Sequence, residues 1–322
     1  MEKALILYNK ISEHPLQDEL DVLDQVAVVE SALTELGYDV FREEFDLDMN
    51  RVKIALQQIN PKFVFNLVET VDNKGNLIFL APALLESLKI PFSGSGLHSM
   101  YLTSNKILAK EAFRNHNIPT GEWFMANQID QLNQEKRYIV KPLWEDGSVG
   151  ISEQGVFYGN DPEIKNYFKN RNPKDYFIEE YIHGREFNIS VLGGKNGPRV
   201  LPPAEIKFID FPEGKPHILG YESKWDEDSF EYKNTVRTFE FEESDKTLLS
   251  KLTKICYDCW NSFKLKGYVR VDIRVDEKNN PYVLEINANP CISPDAGFYA
   301  ACNRAGIKFT TVISEIIFDA LN

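Results

Sequence analysis

The chain has 322 residues, of which 43% are hydrophobic and 26% charged, ordinary globular usage that excludes a largely disordered, collagen-like or disulfide-stapled protein. At roughly 100–200 residues per domain it should fold as about two or three domains, the size of an enzyme. The 49 acidic against 36 basic residues leave a net charge of −13, which opposes attraction to phosphate backbones and anionic lipid, so neither nucleic acid nor a membrane surface is an expected partner.

Four cysteines are few for this length, and MEKALILYNK holds one short apolar run rather than a signal sequence, which fits a cytoplasmic protein. Ala4–Tyr8 reads as a strand, Asp18–Leu36 as a helix stopped by Gly37, and Lys62–Leu67 as a second buried strand. That alternation predicts a small parallel sheet with helices on its faces. Leu77–Leu88 repeats apolar residues at helical spacing, and Ser93-Gly94-Ser95-Gly96 then breaks the pattern, the expected first boundary. Thr103 is placed to cap a helix running through Lys106 and Lys110 to about His116, which Asn117-Ile118-Pro119-Thr120-Gly121 ends.

From there the pattern becomes α+β, with strands expected at Glu122–Ala126, Arg137–Lys141, Glu153–Phe157, Tyr176–Ile182 and Glu186–Leu192 and a second boundary near residues 186–190. A polar, aromatic stretch from Lys207 to Phe241 follows, then a helix around Leu248–Phe263, a hairpin, and a last helix from about Thr310 to Leu321. Cys256 and Cys259 form a C-x-x-C inside the amphipathic LLSKLTKICYDCWNSF; no second Cys or His pair completes a zinc site, so an apolar helix face accounts for both. The five histidines show no metal spacing.

The period-two alternation of GYVRVDIRVDEKNNPYVLEINANP, residues 267–290, converts into a geometry. Val269, Val271, Ile273 and Val275 face one way and Arg270, Asp272, Arg274 and Asp276 the other; on the returning strand Tyr282, Leu284 and Ile286 share the apolar face. If Glu277-Lys278-Asn279-Asn280 closes the turn and Asp276 pairs with Pro281, Asp272 sits directly opposite Glu285 and Arg270 opposite Asn287. Facing like charges destabilise a ladder, so a cation belongs between them. Two carboxylates with an amide neighbour suit Mg²⁺, which completes its shell with water and phosphate oxygens. A solvent-facing hairpin neutralised by Arg270 and Arg274 is the alternative on pattern alone.

A strand, Arg137-Tyr138-Ile139-Val140, delivers Lys141 to a small-residue loop, Asp146-Gly147-Ser148-Val149-Gly150-Ile151-Ser152, whose N–H groups could approach phosphate oxygens. A mobile Gly-Ser turn is the competing reading. There is no G-x-x-x-x-G-K-[ST] and no complete dinucleotide fingerprint. The strand within FIEEYIHGRE offers backbone to an adenine edge and Glu186 to ribose hydroxyls.

Taken in order, Lys106, Lys141-Pro142, DGSVGIS, EEYIHGREF, VRVD and LEINANP resemble the ATP-grasp superfamily. With FVFNLVE and IPFSGSGLHSMYLTSNKILAKEAF, the resemblance is to its D-alanine-D-alanine ligase branch and spans about residues 60–320. It implies an α/β and α+β, three-domain ATP-grasp fold: a Rossmann-like (preATP-grasp) parallel-sheet domain at residues 1–97, a central subdomain with the phosphate loop at 98–187, and a C-terminal subdomain with the metal site at 188–322. Carried over by position, it implies that Lys106 and Lys141 contact the ATP phosphates under a lid formed by Ser148 and its neighbours. Glu179, Glu180, Tyr181 and Ile182 would lie along the adenine and Glu186 on the ribose. Asp272, Glu285 and Asn287 would ligate two Mg²⁺ ions, with Mn²⁺ as an alternative occupant. Lys224 would reach the transferred phosphoryl group and Arg270 the tetrahedral oxyanion.

The reaction so implied is amide formation between a small-molecule carboxylate and an amine, expected to be amino acids, through an acyl phosphate with release of ADP and phosphate. Oligomers are common in the family, and a homodimer is the assembly it suggests. A dipeptide or amino-acid ligase with substrates other than D-alanine is the nearest alternative. A non-catalytic ATP-binding regulator is the alternative from another class; the retained Arg270, Lys224, Asp272, Glu285 and Asn287 argue against it. Departures fall at the substrate end: Leu5–Ile11 replaces a Gly-Gly-x-Ser-x-Glu segment, Trp225 a tyrosine, Cys291 a glycine, and Ala296 the serine expected to receive the second substrate's carboxylate. With no histidine near it in sequence, Cys291 is expected to pack rather than to act as a nucleophile.

Overall fold

The computed structural model describes residues 1–15, 17–144 and 147–322. Strand β1 (Lys3–Asn9) is apolar on both faces and fully buried from Ala4 to Leu7, as the central strand of a parallel sheet must be. Helix α1 (Gln17–Glu35) leads to β2 (Asp39–Phe45), α2 (Met49–Ile59) and β3 (Phe63–Leu67), and the strands pair in the order β2-β1-β3, all parallel. Helix α3 (Leu80–Leu88) covers the face of this sheet that holds Leu5, Leu7 and Val64.

Two helices then replace the single expected one: α4 (Leu97–Ser104) and α5 (Lys106–Asn115). Thr103 is not the cap. Its hydroxyl bonds the Met100 carbonyl within α4, while Asn105, extended between the helices, caps α5 by accepting the Leu108 N–H at 2.9 Å.

The central sheet is antiparallel: β4 (Trp123–Met125), β5 (Arg137–Pro142), β6 (Val156–Tyr158) and, after a short α6 (Glu163–Tyr167), β7 (Tyr176–Glu180), in the order β4-β7-β5-β6. A second, larger sheet starts with β8 (Arg185–Leu192), β9 (Arg199–Val200) and β10 (Ala204–Phe208). Short α7 (Glu222–Trp225) and α8 (Phe230–Lys233) precede β11 (Thr235–Thr238), and α9 (Lys246–Ser262) leads to β12 (Tyr268–Val275) and β13 (Pro281–Asn287). Its order is β11-β10-β8-β12-β13, with β9 on β8. The chain closes with α10 (Gly297–Arg304) and α11 (Phe309–Leu321).

Helix α9 turns Leu252, Cys256 and Cys259 into the core beneath β8, β12 and β13, together with Ala109 and Phe113 of α5. The C-x-x-C is thus the helix face expected of it, both thiols free and buried. Helix α11 packs Val312, Ile313 and Ile316 against Ala4, Ile6 and Phe65 of the N-terminal sheet, so the last helix and the first sheet share one core. Among the described residues no helix is long and apolar enough to cross a membrane.

Candidate active site

The β12–β13 ladder sets Asp272 opposite Glu285 and Arg270 opposite Asn287, as the alternation predicts. It arrives there by a different route. Asp276 N donates to the Asn280 carbonyl and Val275, not Asp276, pairs with Pro281, so the ladder leaves the turn one residue out of the expected phase. A β-bulge then restores it: Ile273 pairs with Val283 and Asp272 with Glu285, leaving Leu284 as the extra residue. The expected apolar face of β13 changes accordingly. Val283 and Ile286 enter the core, whereas Leu284 lines a cleft beside Glu285.

Each acid already has a basic partner. Arg270 donates from Nε and Nη2 to the two Asp272 oxygens, both at 2.8 Å, and Asn188 Nδ2 adds a third bond at 2.9 Å. Lys106 Nζ lies 2.8 Å from Glu285. Burial alone would raise the Glu285 pKa, but Lys106, Lys141 and Arg270 hold the carboxyl well below the usual carboxylate range. Asn287 Oδ1 accepts the Asn289 N–H at 3.0 Å.

Lys141 comes from the end of β5 and meets Glu179 of β7 at 2.8 Å. The other Glu179 oxygen pairs with Lys110, a fully buried lysine one turn beyond Lys106 on α5 that also donates to Thr120 Oγ1 at 2.9 Å. Thr120 in turn donates to the Val283 carbonyl at 2.7 Å, which ties the central sheet to β13. Burial opposes both charges; it carries the Lys110 pKa down, while the two lysines still hold Glu179 below its ordinary value. Sequence reasoning treated Lys110 only as a helix position. The signal available was its i, i+4 spacing from Lys106, which puts both ammonium groups on one face.

Glu186, the second residue of β8, pairs with Arg274 at 2.8 Å, yet burial pushes its pKa above the usual range. Glu180 pairs with Lys136 at 2.8 Å, and the Tyr181 hydroxyl accepts the His217 N–H at 2.8 Å. Lys224 projects from α7 toward the same acids and has no ion pair among the described residues; burial first and then Arg270 lower its pKa. Glu179–Ile182, Glu186, Lys141, Ser148, Lys224, Asp272 and Glu285 all line one open cleft. Lys106 and Arg270 reach it through the carboxylates they hold.

The small-residue loop is folded over this cleft. Ser148 adopts φ 69° and donates its hydroxyl to the Leu219 carbonyl at 2.6 Å; Ile151 N bonds the Ser148 carbonyl at 3.1 Å, and Trp225 Nε1 bonds the Gly147 carbonyl at 3.2 Å. Lys215 bridges Glu153 at 2.8 Å and Glu231 at 2.7 Å. Asp146, the first residue of the expected loop, lies outside the described residues.

At the substrate end, Cys291 Sγ donates to Asp21 Oδ2 at 2.8 Å and lies 2.9 Å from Ser293 Oγ. Burial, Glu69 and Asp21 push its pKa up, which favours the protonated thiol. Among the described residues no cluster of three or more His, Cys, Asp or Glu side chains is arranged for a metal ion. Two facing carboxylates and an amide oxygen nevertheless match what Mg²⁺ takes from a protein, one or two carboxylates with the remaining positions left to water and phosphate.

Two α+β lobes closing on a lysine-lined cleft with an acid pair at its floor, joined to an N-terminal parallel sheet, define an ATP-grasp ligase, a class that forms carbon–nitrogen bonds. The family described as D-ala D-ala ligase C-terminus matches residues 112–318, and the chain belongs to it. The chain is similar to the D-alanine–D-alanine ligase of Rickettsia felis, 31% identical over 295 residues that cover 90% of this chain and 84% of that one. With the enzyme of the same name from Rickettsia typhi it shares 29% over 303 residues, 93% and 87% of the two chains. Among solved structures, the ATP complex of the D-alanine–D-alanine ligase from Bacillus anthracis superposes over 100% of this chain and 98% of its own with a TM-score of 0.75 at 20% identity. The D-alanyl-alanine synthetase A of Vibrio cholerae gives 0.74 at 17% identity over 100% and 99% of the chains. At those identities the likeness speaks for the fold.

Proposed function

We propose that the chain uses Mg-ATP to join the carboxylate of one amino acid to the amine of a second amino acid or small peptide. The observation that carries this reading is the pairing of Asp272 with Glu285 across a ladder that faces Lys106, Lys141 and Lys224. Lys106, Lys141 and the Ser148 loop hold the triphosphate, the backbone from Glu179 to Ile182, at the end of β7 and just beyond it, takes the adenine, and Glu186 takes the ribose. Asp272, Glu285 and Asn287 would hold magnesium, two ions in this reading, whose charge would offset that of the phosphate oxygens. The Glu179 carboxylate acts by fixing Lys141, since each of its oxygens holds a lysine.

The donor carboxylate oxygen attacks the γ-phosphorus beside Lys224, and the bond to the ADP oxygen breaks. The amine then attacks the acyl carbon, Arg270 faces the oxyanion that develops, and phosphate departs as the nitrogen loses a proton. The Ser148 loop keeps water from the acyl phosphate.

D-alanine, for which the relatives are named, is the first pair to test. A second reading, other amino acids at one or both positions, is favoured by Leu5–Ile11, Trp225, Cys291 and Ala296, which stand where the family places its substrate contacts. A cytoplasmic location and a homodimer accompany the proposal. Purified protein with Mg-ATP and pooled D- and L-amino acids should release ADP in step with a new amide seen by mass spectrometry. ATP turnover without any amide across those pools would refute it.

A further inference from the structure

Alternation along β12 puts Arg274 on the face that carries Arg270 and Asp272, and the register sets it directly across from Glu186 on β8. The two meet at 2.8 Å, Nη2 to Oε2, with side chains only 5% and 6% exposed. Of the two arginines on this face of β12, Arg270 serves Asp272 on its own strand, while Arg274 serves the acid that the ligase reading sets against the ribose.

The same guanidinium also gathers backbone. Nη1 donates to the Gly184 carbonyl at 3.2 Å and Nη2 to the His217 carbonyl. Gly184 lies in the turn between β7 and β8 with φ 141°, where an added Cβ would run into the Val275 carbonyl, so only glycine lets the turn come this close to β12. His217 stacks its ring on Phe208 at 5.0 Å and donates its N–H to Tyr181 Oη at 2.8 Å, and the two residues after it, Ile218 and Leu219, line the cleft. One side chain thus ties together Glu186, the turn beyond the adenine segment and the 217–219 wall, a task that needs the rigid fork of an arginine.

Glu186 itself is buried and faces the cleft. Among the described residues Arg274 is its one ion-pair partner, and no other N–H and no hydroxyl donates to either oxygen. A carboxylate has about four lone-pair sites, so most of this one's accepting capacity is left for a ligand. The vicinal 2′- and 3′-hydroxyls of a ribose are two donors suited to it. Burial pushes the Glu186 pKa up and Arg274 is the strongest charge opposing that rise; without the arginine the carboxyl shifts toward its neutral form, and bonds it accepts lose their charge assistance.

Resting on the ligase reading above, in which Glu186 takes the ribose, we infer that Arg274 is a positioning residue for the nucleotide: by fixing Glu186, Gly184 and His217 together it makes the cleft select ribonucleotides over deoxyribonucleotides. It acts through Glu186, not through the triphosphate.

The test is calorimetric titration of the full chain with Mg-ATP, Mg-2′-deoxy-ATP and Mg-3′-deoxy-ATP in the absence of amino acids, a readout independent of which amide is made. The native protein should bind ATP about 10-fold or more tightly than at least one deoxy form, and Arg274→Met should bring that ratio within about three-fold. Glu186→Gln should lower the ratio to the same extent, and Arg274→Met added to it should change the ratio no further, as when two residues act as one unit. Arg274→Lys keeps the charge but does not span three acceptors, and should give an intermediate ratio. An arginine that only supports the fold would weaken all three nucleotides alike. An unchanged ratio in Arg274→Met therefore overturns the inference, as does equal binding of the three by the native protein; in both cases the ligase reading stands if ADP still forms in step with an amide. Binding of none of the three overturns both. Should Arg274→Met lose its native circular dichroism, Arg274→Lys decides, and a ratio equal to the native one overturns the inference.

Discussion

Lys106 and Glu285 meet at 2.8 Å with the lysine only 3% exposed, which links the first residue of α5 to strand β13. Glu285→Gln removes the carboxylate and leaves that ammonium buried opposite an amide. Because Glu285 itself is a quarter exposed, the expected loss of stability is about 1–3 kcal/mol, below the figure for a fully enclosed pair. Mg-dependent ADP formation should fall by about 100-fold or more, as when a charge-stabilising group leaves a site. A variant that turned over ATP at the native rate would remove Glu285 from the reaction.

The Lys110–Glu179 pair is enclosed on both sides. Lys110→Met should cost up to about 3–5 kcal/mol in urea unfolding, because it leaves one buried Glu179 oxygen unpaired while Lys141 keeps the other, whereas Lys110→Met with Glu179→Leu should recover only part of that, since Lys141 then loses its partner. Equal losses in single and double variants would mean that the pair contributes through shape alone.

Acid should unfold the protein through the same groups. Glu179 and Glu285 have folded pKa values held below their ordinary value, so the stability they contribute is complete above about pH 4.5 and is lost as pH falls through the folded values. Glu186, raised by burial, works in the opposite sense and offsets part of the loss. A melting series from pH 7 to pH 3.5 should show Tm falling below about pH 4.5, less steeply in Glu179→Gln measured against its own neutral value. A flat profile would contradict the assigned pairings.

Ser148 sits in the left-handed region, where glycine is unstrained, and its hydroxyl anchors the loop to Leu219. Ser148→Ala keeps the strain and loses the bond, so closure should weaken by about 0.5–1.5 kcal/mol and KM for ATP rise roughly two- to ten-fold. Ser148→Gly loses the bond but relieves the strain and should fall between the two. Nucleotide titrations that rank alanine above the native protein would exclude the loop as a lid.

Much of this was legible in the sequence because the chemistry lies in local patterns. The β12–β13 alternation placed Asp272 opposite Glu285 and Arg270 opposite Asn287, though not the pairs nearer the turn, and the segment order pointed to the superfamily. The bulge at Leu284 was not legible: no sequence signal distinguishes an extra strand residue from a turn one residue longer, and both bring Asp272 to Glu285. β2 went unread because DVFREEF, a sheet edge, carries charges at positions where alternation would be sought. Lys110 was hidden because a buried lysine depends on a carboxylate 69 residues away. The substrate end stayed obscure for the same reason: Asp21, Gln25, Cys291 and Ser293 are brought together only by the docking of α1 against the segment after β13.

The bulge also divides the hairpin ladder into two stretches of different register. Below it the ladder keeps the acids in step; beyond it, the exposed tip at Glu277–Asn280 is held by its own Asp276 network. A fluorescent label at Lys278, or a short affinity tag spliced after it, would therefore sit outside the phase-locked portion and could report on lobe movement during turnover without displacing either acid.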